Sequence, residues 1–349
     1  MVLDIKKKDR KLKEACTVNS VSADFSEYYG IGYWLKKYAG YPVSLPIFLH
    51  GDHGPGISEI LMEFELKSRF KKALYHNSLK IIDAESRKFK RAYVTGSAFV
   101  HYRRINKIEK SKSPTGTICF PFHSILNVDV EFDWDTYMAE LKALPSQFHP
   151  ITICVYYIDI EKGLHLPLLE NGFDVVTAGH RQNTKFVENF YEILRTKKYA
   201  TSNAYGSHVP YSIEMGIPFF YTGNGKIELN NKGNTSVRLG KSSLHDYVHT
   251  KRVMDKYEEA KILFKDFTEI ITDEQKEFAN VVLALNDAIS PKELNKILWK
   301  EFLLNLHKII WNWVTTKIKM FIRKLKNQIK LRKVQELNIL GRIINKIKP

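Results

Sequence analysis

The sequence predicts an α/β fold of two consecutive units, each with a parallel sheet, followed by a helical C-terminal segment. Apolar runs of strand length end in small and polar residues, and segments with helical spacing follow them, as in parallel sheets. The chain has 349 residues, 44% of them hydrophobic and 12% aromatic. This composition excludes a disordered protein, and the length suits about two domains.

The first unit begins near residue 20 and ends near residue 112. Residues 1–40 are basic and aromatic, and we expect a loose N-terminus there, followed by a helix or loop. A buried strand is predicted over 42–50, ending in a turn-rich loop, and a helix over 58–72 with Ser58 as its N-cap. Two further strands, at 73–75 and 92–95, flank a predicted helix at 81–90.

The second unit follows the polar linker 106–116 and repeats the same alternation of strands and helices. The predicted strands are 117–122, 151–157, 175–178, 199–202 and 218–221, and the predicted helices are 135–144, 162–171, 186–195 and 210–215. A helical segment is expected at 250–290, and Ser290 and Pro291 start a last helix. The sequence thus divides into 1–112, 113–290 and 291–349.

The positive charge is concentrated at the C-terminus. The last 50 residues carry 13 basic and two acidic side chains, a net charge of +11 out of +16 for the whole chain. Apolar residues recur there at helical spacing, which predicts an amphipathic helix on an anionic membrane surface. Packing against a core or another helix is the first alternative, and nucleic-acid binding, which we do not expect, is the second.

Cysteines and the N-terminus exclude other classes. Cys16, Cys119 and Cys154 are odd in number and scattered, which excludes a disulfide framework and a four-cysteine zinc site. Cys119 and Cys154 lie in apolar runs and are predicted to be reduced core thiols. The first 30 residues lack the apolar stretch of a signal peptide, and no run of about 18 apolar residues predicts a transmembrane helix.

Three strand ends of the second unit carry small and polar residues: 122–124, 177–180 and 202–208. Ligands of open α/β sheets bind at the carboxyl ends of strands, so these loops predict a ligand cleft. Such residues are also ordinary loop formers, which is the alternative for each loop taken alone.

The third loop runs directly into a helix, whose free amides and partial positive charge suit a phosphate group. Gly206, Ser207 and Ser212 are the predicted donors, and Glu214 is expected to accept hydrogen bonds from a ribose. The glycine fingerprints of P-loop ATPases and dinucleotide enzymes are absent from the sequence.

The stretch 202–218 resembles the donor-binding segment of GT-B glycosyltransferases, and Glu214, Gly216 and Pro218 match its ending. Residues 176–179 look like the part that holds the nucleobase in that fold. Residues 120–124 look like the first donor-domain strand of capsule and lipopolysaccharide glycosyltransferases. The resemblance implies a GT-B-like α/β fold of two Rossmann-like domains facing a cleft, with the acceptor on 1–112 and the donor on 113–290.

Within that group, the order of motifs is similar to enzymes that use CMP-sugars, the bacterial sialyltransferases and Kdo transferases. They have an acidic loop, then a histidine loop, then serines, and Asp52, His123, Ser202 and Ser207 follow this order. His123 is followed by Ser124 where the sialyltransferase motif has proline.

Asp52 is the predicted general base that deprotonates an acceptor hydroxyl, and His50 or His53 would orient or replace it. His123 is predicted to stabilise the departing phosphate. The alternatives are a loop-capping aspartate, a metal site on His50, Asp52 and His53, and a histidine satisfied at a strand end. The predicted donor-binding residues are Ser124, Thr177, Gly179, His180, Ser202, Tyr205, Gly206, Ser207, Ser212 and Glu214.

The resulting prediction is a glycosyltransferase that moves a sugar from a nucleotide-activated donor to a cell-envelope glycan. The resemblance implies a CMP-linked sugar as the donor. The enzyme would need no metal or other cofactor and act as a cytoplasmic, peripheral protein on the inner face of the membrane, held through 299–349. The alternatives are a transferase of polyol phosphate from a CDP-glycerol-type donor and a non-catalytic α/β protein that binds the membrane surface.

Overall fold

The computed structural model describes residues 2–18, 25–52, 54–125, 128–223, 227–231, 251–307, 310–311, 315 and 317–320. Contacts divide the chain into two compact units, Met1–Leu298 and Trp299–Pro349. His53 and the tail from residue 321 onward lie outside the described residues.

The first unit is a mixed α/β structure with two parallel sheets, which confirms the predicted class at that level. The described strands are β1 (His50–Gly51), β2 (Lys72–Tyr75), β3 (Arg91–Val94), β4 (Thr117–Cys119), β5 (Val128–Glu131), β6 (Ile151–Cys154), β7 (Asp174–Val176), β8 (Tyr199–Ser202), β9 (Phe219–Tyr221) and β10 (Glu228–Asn231). The first ten helices are α1 (Val2–Ala15), α2 (Ile31–Ala39), α3 (Glu63–Leu66), α4 (Ile81–Arg87), α5 (Ala98–Ile105), α6 (Trp134–Ala143), α7 (Tyr157–Glu161), α8 (Leu166–Glu170), α9 (Phe186–Leu194) and α10 (His208–Glu214).

The N-terminal half contains a three-stranded parallel sheet in the order β1-β2-β3. Its core includes Ala73 and Tyr75 on β2, Ala84 on α4 and Phe89 before β3. The predicted strands at 73–75 and 92–95 and the helix at 81–90 are confirmed, because each places apolar side chains in this core.

The C-terminal half contains a five-stranded parallel sheet in the order β7-β6-β4-β8-β9. From β4 the chain adds β6 and β7 on one side of the sheet, and then crosses back to add β8 and β9 on the other side. The direction of strand addition therefore changes at the boundary between the neighbouring strands β4 and β8. Ile118, Ile153 and Ala200 on the three central strands are completely buried, as expected for a sheet covered on both faces. A crevice for a ligand is expected at the carboxyl ends beside this reversal.

Two predicted elements are much shorter than expected. Only His50 of the predicted strand 42–50 lies in a strand, since Pro42 and Pro46 cannot donate to a ladder. The predicted helix 58–72 is reduced to Glu63–Leu66. The Ser58 hydroxyl accepts from Ile60 N at 3.1 Å and donates to Ile60 O at 3.0 Å, and this local turn competes with a helix.

The expected loose N-terminus contains the 14-residue helix α1. Leu12 and Cys16 belong to the core of the C-terminal half together with Ile153, and Asp9 Oδ1 lies 2.8 Å from His165 Nε2. The three cysteines are free. Cys119 is buried in this core as predicted, Cys154 is only partly buried, and Cys16, for which no core position was predicted, is buried there too.

One antiparallel pair was not predicted. β5 and β10 pair antiparallel, with Val128 opposite Asn231. Asp133 accepts from Thr136 N at 3.0 Å and caps α6.

The C-terminal helices of the first unit are Lys251–Leu263, Asp273–Leu283 and the helix that begins at 291. Asp273–Leu283 packs on α10 of the C-terminal half. The chain around its end also bonds to the N-terminal half: Asn77 Nδ2 donates to Val282 O at 2.8 Å and Ile289 N donates to Val94 O at 2.9 Å. The segment 273–290 thus contacts both halves, and the domain boundaries at 112 and 290 stay predictions.

The second unit is helical in its described part, and several of its large apolar side chains are exposed. These are Leu303, Leu304, Ile310, Trp311, Ile318 and Met320. Among the helices the structure describes, none is both long enough and apolar enough to cross a membrane.

Candidate functional site

The two halves meet where the loop after β1 faces the loop after β8. Ser207 Oγ lies 3.4 Å from Pro55 O, and a Cβ on Gly54 would lie 3.7 Å from Ser207 Oγ. Asp52, at the end of β1, is buried, and its backbone N donates to Leu74 O at 3.1 Å. The predicted base and the predicted phosphate loop therefore lie at one junction.

The charge of Asp52 also acts across that junction. Burial raises the pKa of Tyr211 on α10, and the charges of Glu214 and Asp52 add to the effect. A carboxylate on the N-terminal half is thus within electrostatic reach of a helix on the C-terminal half.

His123 lies in the loop after β4, with its Nδ1 2.9 Å from Ser124 O and its ring centroid 4.1 Å from that of Tyr156. Burial lowers its pKa, and the carbonyl of Ser124 and the charge of Asp159 oppose that shift. Since the net shift is downward, His123 is neutral at pH 7; its Nδ1 donates to Ser124 O, which leaves Nε2 as an acceptor unless the ring is protonated.

Asp159 is a buried carboxylate that the sequence analysis did not select. Ser124 N donates to its two oxygens at 3.3 Å and 3.2 Å, and Ser124 Oγ accepts from Val130 N at 3.3 Å. Ser124 therefore holds the His123 loop in place. The only sequence signal was an acid within the apolar run 155–160.

Ser202 and Ser212, both predicted to bind the donor, are buried and bonded to the scaffold. Ser202 Oγ lies 2.6 Å from Phe120 O and 2.7 Å from Ala204 O, and accepts from Ala204 N at 3.1 Å. Ser212 Oγ donates to His208 O at 2.8 Å. These hydroxyls shape the loop between β8 and α10.

That loop holds His208, which the sequence analysis also missed. Its ring stacks on Phe120 at 4.9 Å, and its buried Nε2 has no hydrogen-bond partner among the described residues. Burial lowers its pKa to about 3, and the charge of His123 adds to the shift, so the two histidines are close. A Cβ on Gly206 would lie 2.7 Å from the His208 ring, which accounts for glycine there.

Tyr205, on the same loop, packs against Tyr257 and Phe278, with ring centroids 5.5 Å and 6.1 Å away. Its buried hydroxyl has no hydrogen-bond partner in the part of the chain that is described. Burial raises its pKa well above the usual value.

Glu214, predicted to bind a ribose, accepts hydrogen bonds from an arginine at both of its carboxylate oxygens. Arg103 Nε and Nη2 donate to them at 2.7 Å and 2.6 Å, and Arg104 Nη2 lies 3.7 Å away. The Glu214 side chain is 3% exposed. This bidentate pair joins α5 of the N-terminal half to α10 of the C-terminal half.

Thr177, Gly179 and His180 lie at the far edge of the sheet, after β7. Thr177 Oγ1 accepts from Gly179 N at 3.1 Å, and Gly179 has φ +94° with Ala15 O only 2.8 Å from a Cβ placed there. The His180 ring lies 4.0 Å from that of Tyr157. This loop approaches His123 only through Tyr156 and Tyr157, whose rings are 4.7 Å apart.

Among the residues that the structure describes, no group of three histidine, cysteine or acidic side chains has the arrangement of a metal site. His50 packs on Phe89 with ring centroids 5.4 Å apart.

Comparisons with known proteins give a distant structural likeness. No family model matches the chain, and no curated protein matches it. It is similar to the solved structure of the wall teichoic acid polymerase TagF at 12% identity and a TM-score of 0.41, over 74% of this chain and 69% of that one. A variant of that polymerase soaked with CDPG matches at 12% identity and a TM-score of 0.36, over 70% of this chain and 60% of that one.

Proposed function

We propose that this protein is a transferase that moves a sugar from a nucleotide-activated donor to a hydroxyl of a cell-envelope glycan. The supporting observation is the junction where Ser207 Oγ lies 3.4 Å from Pro55 O. At this junction the loop that follows Asp52 meets the loop that holds His208, and the charge of His123 acts on His208; both loops follow the carboxyl ends of parallel strands, which supports the proposal.

In this proposal, Asp52 takes the proton from the acceptor hydroxyl, and the freed oxygen forms a bond to the sugar carbon. The bond from that carbon to the donor phosphate breaks, and the phosphate leaves with the bonding electrons. His123 is neutral in the free protein and its one ring proton is on Nδ1, so it takes up a second proton at Nε2 beside the anionic donor and donates that proton's hydrogen bond to the leaving oxygen; the amides at the start of α10 face the same group. The protein's own donors carry this step without a metal.

The donor itself is identified by a melting screen of the full chain against CMP, CDP, UDP, GDP, their sugars and CDP-glycerol. We expect CMP and its sugars to raise the melting temperature, because binding to the folded state alone stabilises it. If only CDP-glycerol raises the melting temperature, the transferred group is a polyol phosphate and not a sugar. Absence of any shift would favour a non-catalytic binding protein.

The role of Asp52 is tested by Asp52→Asn, which keeps the side-chain shape and removes the base. We expect transfer to fall by at least about 100-fold, while donor affinity changes by less than about threefold. Asp174→Asn, an exposed aspartate on β7, is the matched control and should keep full activity. Full activity of Asp52→Asn would remove Asp52 from the mechanism.

The acceptor side of the proposal places the protein on the inner face of the cell membrane through 299–349. The exposed apolar residues Leu303, Leu304 and Trp311 support this, together with the net charge of +11 on the last 50 residues.

A further inference from the structure

Arg181 is a partly buried cation with no carboxylate paired to it in the part of the chain that the structure describes. It lies in the loop after β7, with its guanidinium 4.7 Å from the ring centroid of Tyr28. Its buried Nε has no hydrogen-bond acceptor among the described residues. No carboxylate in the described ranges forms an ion pair with it, and the titratable groups that act on it are tyrosines.

The groups around Arg181 do not replace a carboxylate. The pKa of Arg181 is raised on balance: burial acts to lower it, and Tyr157, Tyr156, Tyr28 and Tyr29 act to raise it. These tyrosines are neutral at pH 7, so they supply a polarisable surface and no net negative charge.

Arg103 provides the comparison within the same chain. It is also partly buried, and Glu214 binds it through two hydrogen bonds of 2.7 Å and 2.6 Å. Removing a cation from water is unfavourable unless an anion compensates it. Arg181 is partly buried like Arg103, but none of the described carboxylates pairs with it.

The chain around Arg181 is held in an unusual conformation. Tyr29 N donates to Arg181 O at 2.6 Å, and Tyr29 has φ 57°, in the left-handed region that is unfavourable for a non-glycine residue. Gly30 follows at φ +71°, with Thr184 O 3.1 Å from where a Cβ would lie. This turn places the Tyr28 ring on the guanidinium.

The turn also connects Arg181 to the cleft. The hydroxyl oxygens of Tyr29 and Tyr156 are 2.9 Å apart, and the Tyr156 ring lies 4.1 Å from that of His123. One aromatic layer therefore separates Arg181 from the histidine that faces the leaving group in the proposed reaction.

We propose that Arg181 binds an oxyanion of the substrate, a phosphate or a carboxylate, and that Tyr28 and Tyr29 hold the guanidinium in position for it. A planar guanidinium matches such an anion with two parallel hydrogen bonds. The inference deepens the proposed function and rests on it for the source of the anion, which is either the donor phosphate or an acidic acceptor.

Calorimetric titration and melting curves of the full chain test this with three probes: CMP, cytidine and inorganic pyrophosphate. The variants are Arg181→Gln and Arg181→Lys. Arg195→Gln is the matched control, because Arg195 is exposed and paired with Glu192 at 3.3 Å. We expect Arg181→Gln to weaken pyrophosphate binding by about 10- to 100-fold and Arg181→Lys to weaken it less, with Arg195→Gln unchanged.

The probes separate the two sources. An equal loss for CMP, with cytidine unchanged, assigns Arg181 to the donor phosphate. A loss for pyrophosphate alone, measured with CMP already bound, assigns it to the acceptor. If no nucleotide binds the wild type but pyrophosphate binding still depends on Arg181, the proposed function fails and the anion site stands.

Three results would overturn the inference. One is equal weakening of cytidine and CMP, which is the effect of a merely structural arginine. Another is unchanged binding of both anionic probes in Arg181→Gln at an unchanged melting temperature of the free protein. The last is a wild-type protein that binds neither pyrophosphate nor CMP.

Discussion

His101 on α5 is buried between the ring of Tyr38 and the loop that follows β3. Its Nε2 donates to Thr95 O at 2.7 Å, and the Tyr38 ring stacks on it at 3.6 Å. Burial lowers its pKa from 6.5 to about 4, and the charges of His76 and Arg104 add to the shift. Protonating it in the folded protein is therefore unfavourable.

The stability of the protein should consequently fall as the pH is lowered. Between pH 6.5 and pH 4 the unfolded chain binds a proton at His101 that the folded chain does not, so stability is lost on acidification. Going from pH 7 to pH 5 should cost roughly 2 kcal/mol at this residue. Urea unfolding at both pH values measures this loss in the free energy of unfolding. In His101→Gln the loss should be smaller than in the wild type by the same amount. Equal pH dependence in variant and wild type would contradict this.

Single residues show how far the sequence could predict the site. It placed Asp52, His123 and Ser207 at strand ends, and strand ends converge in any parallel sheet. It could not separate Ser202, whose hydroxyl bonds to Phe120 O, from a ligand-binding serine. Such a distinction depends on the neighbouring carbonyls, which only tertiary structure brings close.

At the scale of elements, α5 and α10 are joined by the ion pair of Arg103 and Glu214. Glu214 was predicted to bind a ribose, and that role stays a prediction. The bidentate geometry supplies a second role, which is to fix one half against the other.

Glu214→Gln separates these roles. Removing the charge leaves Arg103 partly buried without its anion, so we expect the free energy of unfolding to fall by about 3 kcal/mol. Glu192→Gln, which breaks an exposed pair with Arg195, should change it by less than about 0.5 kcal/mol. Urea unfolding measures both. An unchanged stability with weakened nucleotide binding would instead favour the ribose role.

Elements were predictable where hydrophobic periodicity decides them. β2, β4, β6 and β8 were found because buried parallel strands have continuous apolar runs. α1 was missed because its residues are mostly charged, and only a few of them, such as Leu12, enter the core. The pairing of β5 with β10 joins segments about 100 residues apart, which local patterns cannot show.

For the molecule as a whole, the charge distribution predicts where the protein is bound. Deletion of 299–349 should release it from vesicles containing anionic lipid and leave its affinity for the donor within about twofold, because each basic residue near such a surface adds about 1 kcal/mol. Vesicle flotation at low and high salt measures the first, and calorimetry measures the second. A melting temperature close to that of the full chain shows that the remainder folds. Membrane association that survives the deletion would contradict the prediction.

The position of α1 has a consequence for synthesis on the ribosome. Its residues emerge well before the partners they need, because Leu12 and Cys16 belong to one core with Ile153, Leu168 and Val175. Roughly 160 further residues must leave the ribosome before these partners exist, a delay of about 10 to 30 seconds at 5 to 20 residues per second. Throughout that time an amphipathic helix stands without its partners, and chaperones or the membrane itself can bind it before the sheet does.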